Sequence, residues 1–122
     1  MKYLAIDGDH VGAKLEKYLL DNDEDSLSKF SSRLTSFLET LAEVLEAEGF
    51  SIVYLGGDSV LAKRPNIDVK MIADSIQSDH VSFSVGIGTS CHDAYVALKY
   101  AKVSGRDCMI DYRDGTFRRC DP

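Results

Sequence analysis

Hydrophobic positions along the chain follow two different spacings, which predict an ordered series of strands and helices. Residues 2–7 (KYLAID) form a short apolar run that ends on an aspartate, which is typical of a buried strand. Residues 27–45 carry apolar side chains at steps of three and four, so they predict an amphipathic helix that covers a sheet. Ser26 is the candidate N-cap of this helix and Gly49 its stop. Its apolar positions are Leu27, Phe30, Leu34, Phe37, Leu38, Leu41, Val44 and Leu45.

The other segments complete an order of strand, two helices, two strands, helix, strand, helix and strand. The further helices are expected at residues 11–20, 71–76 and 93–104. The further strands are expected at residues 50–55, 59–63, 81–88 and 107–112. A last segment, residues 116–119, can pair with the final strand across the Asp114-Gly115 turn. With right-handed crossovers this order predicts an α+β, ferredoxin-like βαββαβ fold, with an antiparallel sheet and helices on one face.

Length, composition and charge limit the class of protein. A chain of 122 residues, 44% of them hydrophobic, suits a single domain over residues 1–122. A formal net charge of −6 argues against binding to long nucleic acids, because that binding needs a basic surface. No apolar stretch suits a signal peptide or a membrane span, so we expect a cytoplasmic protein without membrane contact. The three cysteines lack CxxC spacing and are expected to be structural or incidental thiols in a reduced compartment.

Two aspartates are predicted to meet at one edge of the sheet. Asp7 ends the first strand, and Asp58 follows Gly56 and Gly57 in the turn of the central hairpin (YLGGDSV). Two neighbouring carboxylates repel each other unless a cation lies between them. Mg²⁺ is the expected cation, since it takes one or two carboxylates together with waters and substrate phosphates. The glycines would let a triphosphate approach the backbone and its amide N–H groups.

Several segments of the sequence resemble a known family in both order and spacing. They are IDGDHVG at residues 6–12, GGDS at 56–59, and SFSVGIG at 82–88 followed by ALKYAKVSGRD at 97–107. They are similar to the palm domains of the GGDEF nucleotidyl cyclases and of the polymerase-like large subunit of type III CRISPR complexes. The chain most resembles the stand-alone minimal CRISPR polymerase, a palm of about this size. GTP cyclohydrolase III shares the same palm and is also similar.

The resemblance implies a metal site and its ligands. Asp7 and Asp58 are implied to be the catalytic residues that bind a pair of metal ions, Mg²⁺ or Mn²⁺. The carbonyl of Gly8 is implied to be a further metal ligand, and Asp9 is the next candidate. Two such ions would align the attacking hydroxyl and offset charge on the leaving pyrophosphate.

The resemblance also implies where a nucleotide binds. Lys102 and Arg106 match the Lys and Arg of the cyclases' AKxxGRN segment, which hold the outer phosphates. Four residues apart around the end of a helix, they can reach a common anion. The complete set of implied nucleotide-binding residues is Gly8, Asp9, His10, Val11, Gly12, Gly56, Gly57, Ser59, Lys102 and Arg106.

The sequence departs from the family pattern in two places. Ser59 stands where the cyclases usually have a second acid. Which residue binds the second metal and which base deprotonates the nucleophile therefore stay open. Asp9 is the candidate to compensate for the missing acid. The inhibitory RxxD motif of diguanylate cyclases is missing, since that stretch reads AEGF. Structural alternatives stay open as well: Asp7 as a cap, Asp58 as a turn residue, and the two cations as a solvated helix end.

Three functions are compatible with these residues. The first is a nucleotidyltransferase that condenses nucleoside triphosphates, with ATP expected, into a cyclic oligonucleotide signal in antiphage defence, as the resemblance implies. The second is a GTP cyclohydrolase III-like hydrolase, and the third is a non-catalytic nucleotide-binding module. Joining two nucleotides needs two facing sites, so the expected working unit is a homodimer with its GGDS edges together.

Overall fold

Six strands and four helices make up the computed structural model, which describes residues 1–122. In chain order they are β1 (Lys2–Gly8), α1 (Val11–Leu20), α2 (Glu24–Ala47), β2 (Ser51–Gly56), β3 (Ser59–Arg64), α3 (Val69–Ser75), β4 (Phe83–Gly88), α4 (Cys91–Val103), β5 (Met109–Arg113) and β6 (Thr116–Arg119). Each predicted element is present, with ends shifted by a few residues. The shifts fall at element ends, where the hydrophobic pattern carries the least information.

The strands form one sheet in the order β2-β3-β1-β4-β5-β6. β1 lies in the middle and pairs antiparallel with β3 and β4. This arrangement confirms the predicted ferredoxin-like α+β fold. The expected antiparallel pairing has one exception: β4 and β5 are parallel, because α4 crosses over between them.

Helices cover both faces of the sheet, which corrects the prediction that they lie on one face. On the first face, Leu4 and Ile6 of β1 pack in the main core, to which α1, α2 and α3 all contribute. On the second face, Ala5 packs against Ala94 and Leu98 of α4. Neighbouring residues of a strand point to opposite faces. The central strand is therefore buried on both sides, and its apolar run does not reveal that two layers cover it.

The long helix α2 starts earlier than predicted. Asp23 is its N-cap, and the Asp23 carboxylate accepts a hydrogen bond from the backbone N–H of Ser26 at 3.1 Å. Ser26 therefore lies inside the first turn, and the prediction that it caps the helix is wrong. A carboxylate at this end also interacts favourably with the helix dipole. Gly49, with φ of +92°, follows the end of the helix at Ala47 and confirms the predicted stop.

Helix α4 packs unusually close to the sheet. Gly86 of β4 faces it, and a Cβ at this position would lie 2.2 Å from the carbonyl oxygen of Ala94 and 2.3 Å from the backbone nitrogen of Leu98. Ala97 and Ala101, which are fully buried, continue the small-residue face of the helix. This close contact fixes the course of α4 and brings its last turn to the end of β1.

Strand β2 forms one edge of the sheet and carries exposed apolar side chains. Val53, Tyr54 and Leu55 are 48%, 57% and 42% exposed, directly before the Gly56-Gly57-Asp58 turn. The register of β2 against β3 shifts between Ile52 and Tyr54, which is a β-bulge. The edge is therefore both apolar and irregular.

Candidate active site

Asp7 lies next to the last residue of the central strand, at one edge of the sheet. Its partner across the β1–β3 ladder is Ser59, the first residue of β3. The Ser59 hydroxyl donates a hydrogen bond to Oδ1 of Asp7. Ser59 thus orients the Asp7 carboxylate at this edge of the sheet.

The hairpin turn brings Asp58 to the same edge. Gly57 has φ of +57°, a backbone conformation that suits glycine at this turn. The backbone N–H of Gly8 donates to the carbonyl of Asp58 at 3.0 Å, which ties the turn to the end of β1. Burial raises the pKa of the Asp58 carboxyl, and the nearby carboxylate of Asp7 raises it further. Asp7 and Asp58 are thus close enough to repel.

Lys102 reaches this edge from the last turn of α4. Its ammonium lies 3.0 Å from Oδ2 of Asp7 and 2.8 Å from Oδ1 of Asp9. It also donates to the carbonyl oxygen of Gly8 at 2.8 Å, with the carbonyl of Asp7 at 3.4 Å. The Lys102 side chain is only 14% exposed. A cation therefore already lies among the oxygens expected to bind metal.

Asp9 lies behind the cleft rather than in it. Its side chain is 1% exposed, and both oxygens have partners within the protein. Oδ1 accepts from Lys102 and from the Ser84 hydroxyl at 2.6 Å; Oδ2 accepts from the Ser82 hydroxyl at 2.7 Å and from the backbone N–H of Asp107 at 3.1 Å. The Asp9 carboxylate therefore does not line the cleft, and its contact with nucleotide or metal stays a prediction.

The pKa of Asp9 reflects this network. Burial alone would raise it, but the hydrogen bonds from Lys102, Ser84 and Ser82 outweigh burial and hold it below the ordinary value. The two serines were missed in the sequence. Ser82 and Ser84 are two residues apart at the start of β4. This spacing could have indicated that their side chains point to the same face of the sheet, because alternate strand positions share a face.

Arg106 follows α4 in a tight turn. Arg106 and Asp107 have φ of +64° and +49°, a left-handed conformation that is uncommon for residues other than glycine. The Asp107 N–H bond to Asp9 holds the turn in place. The Arg106 side chain remains 36% exposed, with Nη1 4.0 Å from Oδ1 of Asp9. The turn thus presents Arg106 toward the same space as Lys102.

These residues enclose a cleft of about 420 Å³. Eight of the sequence-predicted site residues line it, namely Asp7, Gly8, His10, Val11, Gly12, Asp58, Lys102 and Arg106. Gly56, Gly57, Ser59 and Asp9 do not line it. Ala13 and Lys99 do, although they were not predicted. Lys99 was identifiable, since a residue three positions before Lys102 shares its side of the helix.

The cleft also contains the N-terminus of α1. His10 precedes the helix with φ of +58°, no side chain caps it, and no acid lies in its first turn. The first N–H groups of a helix lack intrahelical partners, and the helix dipole favours an anion there. The first turn of α1, from Val11 to Ala13, therefore offers backbone donors to an anionic ligand.

The oxygen ligands suit a magnesium or manganese ion only in part. Asp7, Asp58 and the Gly8 carbonyl are hard oxygen ligands, as Mg²⁺ prefers. The convergence of the Lys102 contacts shows that the Asp7 and Gly8 oxygens face a common point. Nowhere in the chain do three or more His, Cys, Asp or Glu side chains form a group that could hold a metal. The residues therefore fit an ion whose remaining ligands are water and substrate phosphate.

A second, apolar cavity of about 320 Å³ adjoins Asp7 on the α4 face of the sheet. Its lining includes Asp7 and Ser59, with Tyr54 from β2 and Tyr95 from α4. Tyr95 is 55% exposed. The polar cleft and the apolar cavity share Asp7 and Lys99.

Comparison with known proteins identifies the family. The minimal CRISPR polymerase domain (mCpol) matches residues 3–112 of the chain. The chain belongs to the mCpol family. No curated protein matches the sequence. The mCpol match spans every residue that lines the cleft, from Asp7 to Arg106.

Solved structures place the mCpol chain among the palm folds. The GGDEF domain of YfiN (TpbB) from Pseudomonas aeruginosa is 18% identical, with a TM-score of 0.64 over 92% of this chain and 81% of that one. A diguanylate cyclase/phosphodiesterase from Caldicellulosiruptor saccharolyticus is 15% identical, with a TM-score of 0.63 over 96% and 78%. The active GGEEF domain of a diguanylate cyclase from Vibrio cholerae is 16% identical, with a TM-score of 0.56 over 93% and 83%. At these identities the likeness shows the fold.

Family membership and fold together support a nucleotide cyclase- or polymerase-like function for this mCpol chain. None of the four helices is long and apolar enough to cross a membrane.

Proposed function

We propose that this chain is a nucleotidyltransferase that joins nucleoside triphosphates, ATP in the first place, into a cyclic oligonucleotide signal used in antiphage defence. The observation that carries the proposal is the meeting of Asp7 and Asp58 at a cleft that also holds Lys102, Arg106 and an uncapped helix N-terminus. Such a cleft joins metal ligands to donors for a polyphosphate. Membership of the mCpol family supports the choice of ATP and of a defence role in this proposal.

Different residues of the cleft would bind the triphosphate and the metal ion. The N–H groups at the start of α1 and the cations Lys102 and Arg106 would bind the triphosphate. Asp7 and Asp58, with the Gly8 carbonyl, would hold Mg²⁺ or Mn²⁺. When bound, the metal supplies charge compensation for the triphosphate and lowers the pKa of the attacking hydroxyl.

The proposed reaction is a substitution at the α-phosphorus. A ribose hydroxyl oxygen of one nucleotide forms a bond to the α-phosphorus of another, and the bond from that phosphorus to the bridging oxygen of the β-phosphate breaks. Pyrophosphate leaves, and the hydroxyl proton passes to water. The cations at the cleft would favour the charge that develops on the leaving group.

The proposed working unit is a homodimer with its two GGDS edges facing each other. One palm supplies one triphosphate site, whereas the reaction needs the hydroxyl of a second bound nucleotide in line with the α-phosphate. The exposed side chains Val53, Tyr54 and Leu55 support this arrangement, since they form an apolar stretch directly before the hairpin turn. A two-fold pairing also lets the facing site close the ring.

Product analysis tests the proposal. Each of the four nucleoside triphosphates is incubated with the protein and Mg²⁺ or Mn²⁺, and the products are separated by chromatography. We expect a cyclic oligonucleotide and pyrophosphate, lost in Asp58→Asn and retained in Asp114→Asn, which alters an exposed aspartate in another hairpin turn. An opened guanine ring would favour a cyclohydrolase, and tight triphosphate binding without products would favour a binding module.

A further inference from the structure

Lys102 occupies the position that a divalent metal would need. Its ammonium contacts Oδ2 of Asp7 at 3.0 Å and the Gly8 carbonyl at 2.8 Å, two of the oxygens assigned above to the metal. Mg²⁺ binds its oxygen ligands at about 2.0–2.1 Å and repels any second cation among them. The ammonium and a metal ion therefore cannot share these oxygens, and one must leave before the other enters.

Without a nucleotide, a metal ion finds too few protein ligands to displace the Lys102 ammonium. The site offers two carboxylates and one carbonyl, and no third acidic, His or Cys side chain joins them as a metal-holding group. Lys102 meanwhile holds four oxygen contacts at a largely buried position, so expelling its ammonium without new partners would be costly. A metal ion gains little from the protein until further ligands arrive.

A triphosphate removes both obstacles. Its oxygens complete the metal's coordination, and they offer the Lys102 ammonium new anionic partners, since Lys102 also lines the cleft. Asp9 can keep its place during the exchange, because its oxygens retain the hydrogen bonds from Ser82, Ser84 and the Asp107 N–H. The lysine then needs only to turn from the oxygens of Asp7 and Gly8 toward the phosphates.

We propose that Lys102 is a specificity-determining residue that exchanges places with the metal, so that the chain takes up a divalent metal only together with a triphosphate. The inference rests on the proposed function, because it uses the same metal ligands and the same cleft. A monophosphate lacks the outer phosphates that would receive the ammonium. It should therefore leave Lys102 on Asp7 and fail to recruit the metal.

The experiment measures metal binding, so that no turnover is needed. Free Mn²⁺ is followed by electron paramagnetic resonance in the presence of wild type, Lys102→Met or Lys99→Met, each alone, with AMP, and with α,β-methylene-ATP, and the Mn²⁺ bound in protein-free samples of the same nucleotide is subtracted. Lys99→Met is the matched control, because Lys99 lines the same cleft on the same helix but makes no ion pair with Asp7 or Asp9. Its ammonium lies over the ring of Tyr95 instead.

For wild type we expect the triphosphate analogue to strengthen Mn²⁺ binding by roughly tenfold or more, and AMP to leave it unchanged. Lys102→Met should bind Mn²⁺ more tightly than wild type without any nucleotide and gain much less from the analogue. Lys99→Met, at saturating analogue, should behave as wild type. Thermal unfolding with and without Mn²⁺ checks the fold, and Lys102→Gln serves in place of Lys102→Met if that variant is unfolded.

The two proposals fail in different ways. Equal Mn²⁺ affinity of wild type with and without the analogue, or an unchanged nucleotide-free affinity in folded Lys102→Met and Lys102→Gln, overturns the exchange while leaving the metal site in place. Absence of bound Mn²⁺ from every protein, even with the analogue, overturns the metal site on which the proposed function depends.

Discussion

Two aspartates near the cleft have opposite electrostatic environments, although both belong to the recognised motifs. Asp9 has a lowered pKa because its hydrogen bonds outweigh burial, so the ionised form stabilises the fold. This contribution is present at neutral pH and is lost as pH falls below the ordinary carboxyl value of 3.8. Asp58 has a pKa raised by burial and by Asp7, so its ionised form opposes folding.

Asp9→Asn should therefore destabilise the protein at pH 7, by about 3 kcal/mol, since it removes the charge that pairs with a largely buried lysine. The free energy of unfolding of the variant should also differ less between pH 7 and pH 3 than that of wild type. Denaturant unfolding of both proteins at the two pH values measures this. Equal destabilisation at both values would argue against the ion pair.

Asp58→Asn should act in the opposite sense. A raised pKa means that stability is lost as pH rises through it, so removing the charge should raise the melting temperature at pH 7 and change it little at pH 3. Turnover should nevertheless be abolished, because Asp58 is a proposed metal ligand. Calorimetry together with product chromatography tests both parts. A folded variant with full activity would contradict the proposed role of Asp58 as a metal ligand.

The outer phosphates provide a further prediction. Arg106→Ala should weaken triphosphate binding much more than monophosphate binding, because the guanidinium fork has no partner in the shorter ligand. Isothermal calorimetry with α,β-methylene-ATP and AMP measures the two losses. Similar losses for both ligands would mean that Arg106 does not contact the outer phosphates.

At the residue scale, the sequence predicted most of the residues that line the cleft but not that Asp9 lies behind it. Asp7, Asp58, Lys102 and Arg106 do line one cleft. Asp9 does not line the cleft because its partners, Ser82, Ser84 and the Asp107 N–H, come from distant segments that the fold brings behind the loop. Burial of the Asp9 carboxylate next to the partly exposed Asp7 depends on such long-range contacts, which a local motif does not contain.

At the element scale, dependence on long-range contacts also explains why the second helix layer was not predicted. The order of elements and the hairpin followed from periodicity, whereas the placement of α4 depends on small residues facing each other. Ala5 and Gly86 present little side chain, and the alanines of α4 fit against them. Small residues give a weak hydrophobic signal, so the pattern alone did not show that the sheet is covered twice.

This packing predicts the effect of a single methyl group. Gly86→Ala should destabilise the protein by about 1–3 kcal/mol, because the new Cβ would clash with the backbone of α4 and push the helix outward. Triphosphate binding should weaken too, because Lys102 belongs to α4 and would move with it away from the cleft. Gly12→Ala is the control for stability, as its Cβ would meet nothing within 4 Å. Unfolding curves that coincide for Gly86→Ala and wild type would contradict the packing argument.

At the scale of the whole molecule, the proposed homodimer predicts a dependence on protein concentration. Specific activity at saturating nucleotide and Mg²⁺ should fall on dilution, and adding inactive Asp58→Ala chains should lower it beyond simple dilution. Leu55→Lys should shift the activity curve to higher protein concentration without unfolding the chain, because Leu55 is exposed on the edge strand. Constant specific activity down to a demonstrated monomer would show that one chain suffices.

The bulge in β2 has a consequence for solubility. An exposed apolar edge strand is a template on which further strands can add without end, the first step towards insoluble aggregates. The register shift between Ile52 and Tyr54 breaks the regular ladder within this strand. A bulge twists the edge and makes continuous strand addition unfavourable. The chain can therefore keep Val53, Tyr54 and Leu55 in solvent for a specific contact while discouraging the open-ended association that the same side chains would otherwise promote.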